Sequence, residues 1–214
     1  MRVDKSSRLI YPDIKMKRPV QLEFMSHGGR RKGAGRPRGD RVSHDVRPVF
    51  GKPMPAHVTL RICEDVPSLR SSRRFAVIRR SFKVLLERRA FRLVRFSVLS
   101  NHLHLIVEAD DSGALSRGMQ GLCIRLAKAL NKVLGRKGAL FGDHYHSHLL
   151  RSPAEVANAL AYVSTNARKH YGVAGEDYFG SGHSEWLELL AAPVSWLLKD
   201  GWRLAKRRRV GVNV

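Results

Sequence analysis

Two histidines stand one residue apart in the stretch HLHLIVEA, residues 102–109. The surrounding Leu, Ile and Val give it the character of a β-strand. Strand side chains alternate, so His102 and His104 emerge on one face while Leu103, Leu105 and Val107 emerge on the other. Two imidazoles about 7 Å apart on one face can converge on a single divalent ion. Two ligands leave such an ion under-coordinated. A third is available in SPAEVANALAYVSTNARKHYG, residues 152–172, where Tyr162 and Asn166 are four apart and share a helical face. A carboxamide oxygen is a hard donor, suited together with imidazole to Mg²⁺ or Mn²⁺. Tyr162 would stand one turn from that ion. A blander reading is open for each group: an exposed polar strand face for the histidines, an aromatic packing helix on sheet for Tyr162.

The elements that must bring these groups together are legible as periodicities. AHVTLRI (56–62) alternates His57, Thr59 and Arg61 with Val58, Leu60 and Ile62, the period of a half-buried strand. From 66 to 89, Leu69, Phe75, Ile78, Phe82, Leu85 and Leu86 recur at helical spacing between basic residues. RLVRFSVLS (92–100) predicts a second strand and HLHLIVEA a third, with Asn101 alone between them. The next segment opens on capping residues. It runs as an amphipathic helix through Leu115, Met119, Leu122, Ile124, Leu126, Leu130 and Leu134, and stops at Gly135. HYHSHLL (144–150) predicts a fourth strand. The last helix has Ser152 as cap, Pro153 in its first position and Glu155 three residues past the cap.

The order β α β β α β α predicts an α+β fold: a ferredoxin-like split βαβ with an antiparallel sheet, followed by a C-terminal helix. In that plan two helices cover one sheet face and the other is free. The first strand lies beside the third, which puts His57, Thr59 and Arg61 on the histidine face. The expected organisation is a basic, Gly-rich arm over 1–53, a folded domain over 54–173, and an appendage over 174–214. The appendage holds Trp186, Trp196, Trp202 and the basic run KRRR at 206–209.

Forty Lys and Arg face eighteen acids, a formal net charge of +22 over 214 residues. Such an excess self-repels and points to a polyanionic partner, nucleic acid before an anionic membrane surface. Within HGGRRKGAGRPRGDR (27–41), GRPR with Arg36 and Arg38 is similar to the minor-groove AT-hook signature. A solvated basic linker is an equal reading of that stretch. Cys63 and Cys123 lie outside any CxxC pattern, which argues against a zinc ribbon or disulfide framework and suits buried thiols in a reducing cytoplasm. The start lacks the apolar core of a signal peptide, and no apolar run is long enough to span a bilayer.

HLHLIVEA resembles the histidine–hydrophobe–histidine motif of the HUH nucleases. HYHSHLLRSPAEVANALAYVSTNARKH is similar to the C-terminal half of the IS two-hundred-like single-tyrosine transposases, and closest to REP-associated tyrosine transposases. The Gly-rich basic leader GGRRKGAGRP is similar to leaders of that subgroup. The likeness covers about residues 55–172. Two positions depart from the subgroup pattern: Ala167 and Ser100 stand where Pro is commoner. The resemblance implies that His102, His104 and Asn166 bind Mg²⁺ or Mn²⁺ and that Tyr162, on the C-terminal helix, is the nucleophile. It implies cleavage of single-stranded DNA through a 5′-phosphotyrosine with a free 3′-OH, strand transfer without ATP, hairpin or palindromic targets, and a cytoplasmic, nucleoid-associated protein. Both monomers and homodimers occur among such enzymes. His57, Arg61, Arg92, Arg95, Arg151 and Lys169 are candidates for holding DNA, with Arg36 and Arg38 in the arm. Lys169 and His170 could shift the phenol or bind phosphate, though plain solvation is the favoured reading for both.

Two rival readings compete. One is a non-catalytic basic RNA- or single-stranded-DNA-binding protein, although such sheets display stacking aromatics where this one displays histidines. The other is a zinc site on His144, His146 and His148, disfavoured because the outer two are about 13 Å apart along a strand.

Overall fold

The computed structural model describes residues 48–205. Arg36, Arg38, most of the expected arm and the basic run at 206–209 lie outside them. The strands are β1 Met54–Arg61, β2 Phe91–Val98, β3 His102–Ala109 and β4 His146–Leu149. The helices are α1 Ser72–Lys83, α2 Ser112–Leu134 and α3 Pro153–Tyr171. The chain order is the predicted one. The sheet order is β2-β3-β1-β4, with every neighbouring pair antiparallel, so the α+β split βαβ plan holds.

Local chemistry accounts for the helix ends. The Ser71, Asp111 and Ser152 side chains accept the N–H of Arg74, Ala114 and Glu155, satisfying donors that the first turn leaves open. Gly135 ends α2 and Gly172 ends α3, both in the left-handed conformation that glycine adopts without a Cβ penalty. α1 is shorter than its apolar periodicity suggests, because Val84–Glu87 tighten into a 3₁₀ turn before β2.

The odd-numbered side chains of β3 join Val58, Leu60, Phe96, Phe75, Phe82 and Leu122 in the main core beneath α1 and α2. Gly118 lets α2 approach β2 closely: a Cβ there would collide with the Phe91 ring. Ile124, expected on the buried stripe of α2, faces solvent. Cys63 and Cys123 are half-buried rather than buried.

The second sheet face is not free, contrary to the simple split βαβ expectation. α3 packs on it through Val156, Ala159 and Val163 against Ile106, and Leu198 joins that cluster. The expected appendage is stitched to the outer edge of β2. Val98 N–H donates to Phe179 O (2.9 Å), Ser181 N–H to Phe96 O (2.9 Å) and Ala191 N–H to Leu93 O (2.8 Å). The anchor is Glu108, fully buried on the same face. It accepts Arg92 Nε–H (2.8 Å) and the backbone N–H groups of Val194 (2.7 Å) and Ser195 (2.8 Å). These donors hold its carboxyl below the usual range although burial alone would raise it.

Replacing Gly118 with Ala should overpack this contact and lower the unfolding free energy by about 1–3 kcal/mol, read by urea denaturation. A stability equal to that of the unsubstituted protein would show that α2 and β2 can separate freely.

Candidate functional site

The β1–β3 register sets Thr59 opposite His104 and Arg61 opposite His102. β2 places Ser97 on the far side of His104, and β4 places His146 beyond Thr59. A polar row, Ser97–His104–Thr59–His146, therefore crosses the sheet on the face that α3 covers. The imidazoles of His102 and His104 meet edge to face, with ring centroids 4.7 Å apart.

Each imidazole is held through Nδ1. His102 Nδ1 lies 2.7 Å from Asn101 Oδ1, so Nδ1 carries the proton and Nε2 keeps its lone pair. His104 Nδ1 lies 3.1 Å from Thr59 Oγ1 and 3.2 Å from His57 Nε2. Its Nε2 is buried and has no hydrogen-bond partner. A support on one ring nitrogen that leaves the other free is the arrangement by which proteins orient a ligating histidine.

α3 brings the remaining groups. Tyr162, Asn166 and His170 follow one another at four-residue spacing on one face. The Tyr162 ring meets His104 at 5.1 Å and His57 at 5.7 Å between centroids. One turn past Asn166, the His170 ring lies 6.3 Å from that of His102. Asn166 sits between these two contacts, completely buried, and neither Oδ1 nor Nδ2 has a partner. A buried unpaired polar group costs about 1–3 kcal/mol. Here the Ser97 Oγ, His104 Nε2 and both Asn166 atoms are unpaired on one face. Such a concentration fits a site built to receive a ligand.

The donor set, two imidazole nitrogens and one carboxamide oxygen, suits a hard divalent cation. Burial, followed by the neighbouring imidazoles, lowers the His104 pKa from 6.5 to about 3. Burial, then His146 and His148, lowers that of His57 to about 4. His102 is lowered too, by burial, then His170 and Arg61. All three are neutral at pH 7, the form that can donate a lone pair. Among the described residues, no three His, Cys, Asp or Glu side chains cluster as a metal site.

The basic candidates separate. Arg151 and Lys169 are exposed, and Lys169 Nζ is 5.8 Å from the Tyr162 ring centroid. Arg61 is exposed beside a loose pairing with Glu64 at 3.7 Å. Arg95 Nη1 lies 3.4 Å from Ser181 O. Arg92 departs from expectation: buried, and bound to Glu108, Asp110 and the Arg89 carbonyl, it has no guanidinium face left for a phosphate. Asn101 was legible only as a connection; an amide beside the first histidine was the available signal.

The positions Ala167 and Ser100 prove to be linked. Ala167, buried within α3, lets the helix run on to Tyr171, whose hydroxyl accepts the Ser100 N–H (2.7 Å). A proline at 100 would have no N–H to give, and one at 167 would break the helix that carries Tyr171. The Arg70 guanidinium stacks on Tyr171 (4.4 Å) while paired with Asp177 (2.6 Å), so the end of α3 is pinned beside the turn before His102.

No protein-family model matches the chain, and no curated protein matches it by sequence. Its fold is that of a solved REP-associated tyrosine transposase bound to a REP hairpin: TM-score 0.54, 16% identity, 72% of this chain and 94% of that one. A candidate transposase from Deinococcus radiodurans R1 is a weaker match, with TM-score 0.39 and 12% identity over 57% of this chain and 95% of that one.

Because the folded protein keeps these imidazoles neutral while the unfolded chain takes up protons near pH 6.5, the unfolded state binds more protons below that value. Stability should be level above about pH 6.5 and fall as pH drops toward about 3. A His57→Gln/His104→Asn double variant should show a shallower fall in melting temperature, and equal slopes would contradict the assignment. Ala167→Pro should destabilise the fold by about 3 kcal/mol through the broken helix. An unchanged melting temperature would show that the far end of α3 is not held.

Proposed function

We propose that the chain is a metal-dependent, HUH-type single-tyrosine transposase. It nicks single-stranded DNA at hairpin or palindromic repeats and rejoins the strands. The observation that carries this reading is the set of unpaired buried atoms, His104 Nε2 and the Asn166 carboxamide, beside a half-exposed Tyr162. His102 and His104 through Nε2, and Asn166 through Oδ1, would hold Mg²⁺ or Mn²⁺. A divalent cation there would neutralise a non-bridging phosphate oxygen and stabilise the charge that builds in the transition state.

The protein's own groups do the rest. Tyr162 Oη attacks phosphorus as its proton passes to solvent. A new O–P bond forms, the bond from phosphorus to the 3′ oxygen breaks, and that oxygen takes a proton from solvent and leaves as a free 3′-OH. Exchange of one ester for another conserves bond energy, so the 3′-OH can reverse the step. The α3 backbone fixes Tyr162 and Asn166 to one another, which keeps the phenol oriented toward the bound phosphate. Lys169, Arg61 and Arg151 supply positive charge around the strand, making binding strongly salt-dependent. The fold shared with a transposase that binds a hairpin supports this substrate class.

The test is a hairpin oligonucleotide with a single-stranded flank, incubated with Mn²⁺ and run on an SDS gel. The native protein should form a covalent adduct; Tyr162→Phe should bind the DNA normally and form none. An adduct from the Phe variant would falsify the nucleophile assignment. No adduct from the native protein, with binding intact, would favour the non-catalytic nucleic-acid binder.

A further inference from the structure

Trp196 is 55% exposed, unusual for the largest side chain of a soluble fold, yet it is held in place. Its indole lies over Gly201, at which an added Cβ would stand 2.8 Å from the six-membered ring. The residues just before it are fastened to the sheet by the buried Glu108 carboxylate, which accepts the Val194 and Ser195 N–H groups. The residues just after it, Leu197 and Leu198, pack with Val156, Ala159 and Val163 of α3. A rigid aromatic with one face seated and much of its surface in solvent has already lost the freedom that ligand stacking would otherwise remove.

Its surroundings indicate the ligand. Trp196 lines a groove of ≈ 600 Å³ together with Lys52, Pro53, Met54, Arg151 and Val194. Lys52 and Arg151 are exposed cations at this groove, on a chain of net charge +22. An apolar flat ring sharing a groove with two cations complements a nucleotide, whose base stacks and whose phosphates pair. The groove also lies on a path from the site. Arg151 N–H donates to Glu155 Oε2 (2.6 Å), and Glu155 in turn lines a second hollow with His57, His148, Asn158 and Tyr162. From Tyr162 to the start of α3 at Pro153 is about 14 Å along the helix axis at 1.5 Å per residue.

We propose that Trp196 is a stacking platform for an unpaired nucleobase of the DNA strand that leaves Tyr162 along α3, with Lys52 and Arg151 holding the adjoining phosphates. This deepens the transposase reading and rests on its DNA substrate, but not on Tyr162 chemistry. The experiment uses the full chain without metal and two fluorescein-labelled DNA hairpins, one blunt and one with a single-stranded tail. Trp196→Ala should weaken tailed-hairpin binding by about 5- to 100-fold and leave blunt-hairpin binding unchanged. Trp196→Phe, which keeps a ring, should recover most of the loss, which excludes misfolding as its cause. With Mn²⁺, Trp196→Ala should need about 5- to 100-fold more tailed hairpin to reach half of its own maximal adduct yield.

Equal tailed-hairpin affinity for native protein and Trp196→Ala, while adduct still forms, would overturn the platform and leave the nuclease standing. Selective loss of tail affinity in a native protein that forms no adduct would uphold the platform and sink the nuclease. A drop in mass by light scattering in Trp196→Ala, with tail affinity kept, would overturn the proposal by making the patch an interface between copies.

Discussion

The antiparallel register of β1 against β3 is the constraint on which the rest depends. It puts Thr59 directly across from His104, so a hydroxyl and a second imidazole engage Nδ1 and leave Nε2 buried without a partner. A slip of one residue would carry both β3 histidines to the opposite face, among leucines and phenylalanines. The apolar half of the same strand prevents that slip. Leu103, Leu105 and Val107 are fully buried under α1 and α2, and their burial locks the pleat that presents the imidazoles. Core and site are thus two faces of one alternation, and neither can be shifted alone.

Charge is distributed in keeping with this. A chain of net charge +22 would be expected to spread its repulsion evenly, yet the centre of the site carries neutral imidazoles and a carboxamide. Cations stand around it at Arg61, Arg151 and Lys169. The deepest ion pair, Arg92 with Glu108, lies at the far end of β3 and serves architecture. Its carboxylate gathers two backbone donors from a segment 86 and 87 residues away. Removing that carboxylate would leave a buried guanidinium with two of its three partners, Asp110 and the Arg89 carbonyl, a severe loss in a low-dielectric setting.

Much of this was legible in local pattern. The two-residue period of HLHLIVEA exposes the histidine pair, the Ser152–Pro153–Glu155 signature starts α3, and Gly135 ends α2, because each depends on neighbours within a turn or two. Long-range pairing was not. Nothing in the local pattern singles out Glu108, and Arg92 reads in sequence as a cation for holding DNA. Their union and its grip on Val194 and Ser195 require the fold. The covered second face escaped for the same reason: Leu198 belongs to α3's apolar cluster, although the stretch around it shows no periodicity of its own. Ile124 is the reverse case, an apolar residue at helical spacing that stays half exposed.

The two margins of the sheet are treated unequally. Along β2 the later chain supplies hydrogen bonds at Leu93, Phe96 and Val98, so that margin offers few open groups. The margin at β4 is only four residues long and begins with His146, exposed. A short, hydrophilic rim is a poor template for lateral strand addition. Two such molecules can therefore meet rim to rim without their sheets fusing into one another.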